Sequence, residues 1–147
     1  MMKLSVIVPC YNEAKTIELI INKILNLKSI NKEIIVVDDF SEDGTKEILN
    51  KLNHSEIKII HNNINYGKGY SVRKGIEVAN GDIIIIQDAD LEYDPTDYEA
   101  MINPIVKGYA DAVFGSRFLG SQEHRVLYFW HRLGNSFLTL FSNIFQI

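Results

Sequence analysis

The chain has 147 residues, 46% of them hydrophobic and 23% charged, which suffices for one globular domain with a real core, so that no second domain is needed. Its net charge of -4, with no block of like charges, excludes nucleic acid as the main partner, since that needs a concentrated basic face. A lone cysteine, Cys10, excludes a disulfide framework and fits a reducing compartment, where its simplest role is that of a small buried apolar residue.

Leu4 to Val8 read as a first strand, ended by Pro9, which has no N–H to give to a ladder. The run is too short for the apolar core of a signal peptide, so the chain is expected in the cytoplasm. Asn12 can cap the helix in which Ile17, Ile20, Ile21, Ile24 and Leu27 recur at helical spacing. Ile34 to Val37 form a second strand, closed by Asp38 and Asp39. Ser41 to Gly44 supply a turn and a cap for the helix marked by Ile48, Leu49 and Leu52. Ile57 to Ile60 are a third strand. The loop His61 to Gly69 leads into a helix through Val72, Ile76 and Ala79, which Asn80-Gly81 stops as a left-handed cap. Ile83 to Ile86 are apolar on both faces, the pattern of a strand buried on both sides. A further helix begins near Pro95, and Ala112 to Phe114 make a last short strand.

Strands alternating with helices over short connections predict an α/β fold, an open and mostly parallel sheet covered by helices on both faces. Ligands of such sheets bind at the carboxyl ends of the strands. Tyr11, Asn12 and Glu13 follow the first strand, Asp38 and Asp39 the second, and Asp88, Asp90, Glu92 and Asp94 the fourth. If that acidic row is extended, alternate residues point the same way about 6.6 Å apart. Such a row suits a divalent cation such as Mg²⁺, held by one or two carboxylates and completed by waters and substrate phosphates; the plainer alternative is an acidic loop that only solvates a strand end. A dinucleotide-binding domain fails at the first turn, where PCYNEA carries no glycine to let backbone approach a pyrophosphate.

Five stretches occur in order: VPCYNE at Val8–Glu13, VVDDFSEDGT at Val36–Thr45, NYGKG at Asn65–Gly69, QDADLEYDP at Gln87–Pro95 and GSRF at Gly115–Phe118. Together they resemble the motif set of family 2 glycosyltransferases, most of all the branch similar to dolichol-phosphate mannosyltransferases and other polyprenyl-phosphate glycosyltransferases. The resemblance runs from about Leu4 to Asn135. It implies a GT-A fold, a Rossmann-like nucleotide-sugar-binding domain expected over residues 1–124, with residues 125–147 a helical segment of the same domain. It also implies a nucleoside-diphosphate-sugar donor, a divalent metal, Mg²⁺ or Mn²⁺, and inversion at the anomeric carbon. On the same resemblance Pro9, Tyr11 and Glu13 line the nucleoside pocket, Val37 and Asp39 hold base or ribose, and Asp88, Ala89, Asp90 and Glu92 map onto the metal region. There Asp90 is the first choice of ligand, Glu92 the second, and Asp88 is shared between metal and ribose; many relatives carry Gln in place of Glu92. Lys68 either reaches a phosphate from its glycine-flanked loop or is an exposed loop lysine. The pattern continues past Ile147, so the C-terminal part is expected to be truncated.

The expected reaction is a single displacement in which an acceptor oxygen attacks the anomeric carbon while the metal stabilises the departing diphosphate. A polyprenyl phosphate acceptor needs no general base, whereas a sugar hydroxyl would. Arg117, with Asp90 the other residue expected to act in catalysis, could hold such a phosphate bidentately or pair with a neighbouring aspartate. The stretch Arg125 to Ile147 holds no acid and many aromatics. As an amphipathic helix it would suit a membrane interface or pack on further chain. The leading reading is thus a lipid-phosphate glycosyltransferase, peripheral at the inner face of the membrane. A cytoplasmic transferase with a saccharide or other soluble acceptor and a non-catalytic nucleotide-sugar-binding fragment are the alternatives.

Overall fold

The structure, a computed structural model, describes residues 2–115, and those up to Val113 belong to one compact unit. Arg117, the end of the GSRF stretch and the segment 125–147 lie outside the described residues. Four parallel strands, β1 (Leu4–Cys10), β2 (Lys32–Asp38), β3 (Ile57–His61) and β4 (Ile83–Ile86), lie in the order β3-β2-β1-β4. Between them run α1 (Ile17–Leu25), α2 (Thr45–Lys51) and α3 (Lys68–Glu77). A 3₁₀ turn at Pro95–Asp97 and α4 (Tyr98–Val106) follow β4, so the helix expected near Pro95 is present. Among the described residues no helix is long and apolar enough to cross a membrane.

Alternation along β1 assigns the two faces. Leu4, Val6, Val8 and Cys10 join the core formed with Ile17, Ile20, Ile21 and Ile24 of α1, Leu49 of α2 and Tyr98 of α4. Each fully buried isoleucine contributes about 1.5–3 kcal/mol, which is what sustains a nine-residue helix too short to persist alone. On the other face Ile7 meets α3. The buried residues of α3 are Ser71 and Gly75, not the expected Val72 and Ile76, because α3 approaches the sheet closely. A Cβ on Gly75 would lie 2.5 Å from Ile7 Cγ2. Gly75→Ala should therefore destabilise the protein despite alanine's better helix propensity, with overpacking costing about 1–3 kcal/mol. A urea midpoint equal to or above the parent's would refute that close approach.

Several local expectations are corrected. β1 continues through Pro9 to Cys10. Ile7 accepts a hydrogen bond from Gln87 N on the β4 side; Pro9, two residues on, faces the same side beyond the end of β4, where no N–H is needed. Asn12 does not cap α1; Thr16 occupies that position, and its side chain makes no capping bond. Gly44, at φ 99°, precedes α2 in the same way. Gly81 is not a left-handed cap. It is glycine because a Cβ there would meet Lys3 O, Ser5 N and Ser5 Oγ, each at 2.7 Å. β4 lies at the edge of the described sheet, and Ile84 and Ile86 are exposed while Ile83 and Ile85 are buried. Ala112 to Phe114 form no strand: no described neighbour pairs with them, and Phe114 is exposed.

Candidate functional site

The carboxyl ends of β1, β2 and β4 and the first turn of α3 enclose a cleft of about 210 Å³. Pro9, Cys10, Tyr11 and Glu13 line it from β1 and its loop, and Asp39 from β2. Lys68 and Ser71 come from α3, and Asp88, Ala89 and Asp90 from the turn after β4. A non-glycine residue with positive φ follows each of the three strands: Asn12 at 56°, Phe40 at 66° and Leu91 at 65°. Asparagine tolerates this conformation, whereas phenylalanine and leucine hold it at a cost of about 1–2 kcal/mol each. Strain of this kind concentrates where geometry is fixed for a purpose.

The loop after β1 is bound to the loop after β2. Asn12 N donates to Ser41 Oγ at 2.9 Å, Glu13 N to Thr45 Oγ1 at 2.9 Å and Ala14 N to Asp43 Oδ2 at 3.0 Å. In return Glu42 N donates to Asn12 Oδ1. Three consecutive amides are thus spent inside the protein, the physical form of the missing glycine loop, and none is left to cradle a pyrophosphate. Tyr11 leaves its ring half exposed at the rim. Glu13 turns one carboxylate oxygen to the Thr16 hydroxyl, 2.6 Å away.

Asp38 and Asp39 both anchor the next layer outward. Asp38, fully buried, accepts from Ser41 N and lies 2.8 Å from His61 Nδ1. Asp39 accepts from Tyr66 N, Gly67 N and Asn62 Nδ2 at 3.0, 2.6 and 2.7 Å. Burial pulls its carboxyl upward, but these donors and the Ser71 hydroxyl outweigh it and hold the group below the usual carboxylate range. Asp39 therefore shapes the loop that begins α3 as well as facing the cleft. Burial, reinforced by Asp38, Glu13, Asp43 and Asp39, drives the Cys10 thiol strongly upward, so it is a neutral wall residue and not a nucleophile.

The acidic row is a turn, not an extended strand. Asp90 Oδ1 accepts from Glu92 N at 3.0 Å, and Leu91 takes positive φ between them. Gln87, almost fully buried, ties the turn together: its Nε2 donates to the carbonyls of Asp88 and Tyr93 at 3.0 and 3.2 Å. Its Oε1 accepts from the buried Tyr98 hydroxyl at 2.7 Å. Asp94 faces elsewhere. It caps the Pro95 turn and pairs with Lys23 at 2.8 Å, an interaction that with the Thr96 donors lowers its carboxyl to about 2.

Of the residues expected at the site, Pro9, Tyr11, Glu13, Asp39, Lys68, Asp88, Ala89 and Asp90 meet around the cleft. Val37 does not. Its side chain is fully buried in the sheet, and its carbonyl receives the Cys10 thiol. Glu92 does not line the cleft either, and among the described residues no three His, Cys, Asp or Glu side chains converge as a metal cage. Of the four carboxylates that line the cleft, Asp88 and Asp90 come from the one turn after β4, and that donor pair fits a cation completed by substrate oxygens. Sequence reasoning missed Cys10, Ser71 and Gln87. A signal existed for Ser71, which follows Lys68 by three residues and so shares its helix face.

Residues 5–144 match the model of glycosyl transferase family 2. Over 120 residues the chain is 38% identical to a dolichol-phosphate mannosyltransferase of Pyrococcus furiosus, covering 80% of this chain and 34% of that protein. It is 31% identical to an undecaprenyl-phosphate 4-deoxy-4-formamido-L-arabinose transferase of Aeromonas hydrophila over 111 residues, 71% of this chain and 34% of that one. The chain thus spans about a third of the length of these curated relatives. Among solved structures it resembles the mannosyltransferase PcManGT of Pyrobaculum calidifontis, in complex with GDP-Man and Mn²⁺. The TM-score is 0.59 and the identity 30%, over 66% of this chain and 30% of that one. It also resembles S. aureus TarS in complex with UDP-GlcNAc, with a TM-score of 0.59 and 31% identity over 69% and 31% of the two chains.

Proposed function

This chain belongs to glycosyl transferase family 2, and on that premise we propose that it carries the donor half of an inverting transferase. That enzyme would move a sugar from a nucleoside diphosphate to a polyprenyl phosphate. The observation that carries the reading is the cleft, where an exposed aromatic residue, four carboxylates and one ammonium meet at three strand ends. Tyr11 offers its face to a base. Glu13 is placed to accept from ribose or base, and Asp39 fixes the loop that delivers Lys68. Asp88 and Asp90 would hold Mg²⁺ or Mn²⁺, which supplies Lewis-acid stabilisation of the leaving diphosphate when bound. Lys68 adds a point charge for the same phosphates.

In the displacement, an acceptor oxygen forms a bond to the anomeric carbon as the bond to the diphosphate breaks. The bonding pair leaves with the diphosphate, and the configuration inverts. A phosphate acceptor is already an anion, so none of the lining carboxylates is needed as a base. Arg117 is proposed to hold that phosphate, and the two curated relatives' names support a lipid phosphate as acceptor and hence work at the cytoplasmic membrane surface. The test is titration with uridine and guanosine diphosphates, with and without Mn²⁺ or Mg²⁺, followed by turnover on a polyprenyl phosphate and on soluble sugars. Metal-dependent binding with transfer to the lipid supports the reading. Transfer to a soluble sugar alone overturns the acceptor, and binding without turnover in any longer form of the chain overturns the enzyme.

A further inference from the structure

Lys68 lies over the carboxylate assigned to the metal. Its Nζ is 2.5 Å from Asp88 Oδ1, with the two side chains 63% and 23% exposed. The backbone beneath it is fixed, because Gly67 N donates to Asp39 Oδ2 at 2.6 Å and Gly67 takes φ 89° to start α3. The side chain above it is largely exposed. It is long and solvated, and the glycines on either side, Gly67 and Gly69, present open space where a Cβ would be. An anchored root with an exposed charged tip suits a group that changes partner.

We infer that Lys68 is a placeholder: its ammonium neutralises Asp88 until a divalent cation arrives, and then moves to the diphosphate. The inference rests on the reading of the cleft as a metal–diphosphate site and adds to it a competition between two cations for one carboxylate. A metal ion alone must displace the ammonium, which weakens its binding. A diphosphate alone must draw the ammonium away from Asp88, which leaves that carboxylate uncompensated. When both bind, each removes the cost that the other met, so the two ligands are coupled, and by thermodynamic linkage the coupling is equal in both directions.

The experiment measures Mn²⁺ affinity by calorimetry at fixed ionic strength, with and without uridine or guanosine diphosphate. It uses the wild type, Lys68→Met and Lys68→Gln, with Arg73→Met as a control for loss of a nearby positive charge. Arg73 is exposed and pairs with Glu77 outside the cleft. Without nucleotide the two Lys68 variants should bind Mn²⁺ tighter by up to about fivefold, the range open to a solvent-exposed pair, while Arg73→Met matches the wild type. With diphosphate present that gain should shrink or reverse, because the phosphates lose their ammonium. Diphosphate-dependent Mn²⁺ binding in the wild type with no tightening in either variant, or equal tightening in Arg73→Met, overturns the placeholder role alone. No Mn²⁺ binding by any of these proteins under any condition overturns it together with the metal–diphosphate reading beneath it.

Discussion

Asp90→Asn should abolish metal-dependent diphosphate binding while the fold stays as it is. Asp90 is exposed at the cleft, and its Oδ1 accepts from Glu92 N; an asparagine oxygen can accept the same bond, so the turn survives. What disappears is one of the two negative charges proposed to face the cation. Loss of residues that merely support a metal ligand costs about 10–100-fold in affinity, so loss of a ligand itself should exceed about 100-fold. Calorimetry with Mn²⁺ and uridine or guanosine diphosphate measures the loss, and a urea midpoint within error of the parent's shows that stability is untouched. A variant that bound the metal–diphosphate pair as tightly as the parent would remove Asp90 from the metal site.

At Asp39 the expected loss is one of stability and binding together. Asp39→Asn leaves an amide that cannot accept at both positions from Tyr66 N, Gly67 N and Asn62 Nδ2. With its oxygen at the Oδ1 position the asparagine keeps the bonds from Tyr66 N and Asn62 Nδ2 and loses the one from Gly67 N; one bond to a charged group is worth about 1.5–3 kcal/mol, so the variant should lose about that much. The start of α3 should loosen, and diphosphate binding should weaken with or without metal. Acid should have the same effect on the parent. Because the folded carboxyl is held below its ordinary value, its contribution is complete above a pH of about 4, near the unfolded value. The contribution then fades as pH falls through the lower folded value. Amide protection at residues 66–67, taken relative to the intrinsic exchange rate at each pH, should fall in the parent as pH is lowered from 5 and already be low and flat in Asp39→Asn. Protection in the variant equal to the parent's would sink the anchoring role.

The sheet was legible because its signals are local. Runs such as Ile34 to Val37 announce strands wherever they occur, and all four strands lie where those runs are. Most of the cleft was legible too, since parallel strands deliver their carboxyl ends to one edge. What escaped the sequence depended on partners distant in the chain. Gly81 looks like a helix stop until β1 is seen against it, and Gly75 looks like a weak point in a helix until Ile7 fills the space beneath it. Ile84 and Ile86 read as buried because a string of isoleucines says nothing about which faces are covered. Asp39 read as a group aimed at a ligand, but three donors from the chain more than twenty residues on take up its oxygens. The acidic row read as extended because alternation is the default for a chain leaving a strand. Only the clamp of Gln87 and Tyr98 reveals the turn.

The early end of β4 opposite Ile7 makes the width of the cleft a matter of counting. β4 pairs with β1 over four residues, Leu4 with Ile83 through Ile7 with Ile86, and the acidic turn begins immediately beyond. Each residue added to or removed from β4 would move Asp88 along the sheet by about 3.3 Å relative to Tyr11. A change of one would also reverse the face on which every later side chain emerges. A single-residue insertion between Gly81 and Ile86, which touches none of the residues lining the cleft, should therefore disconnect the carboxylates from the ring across it.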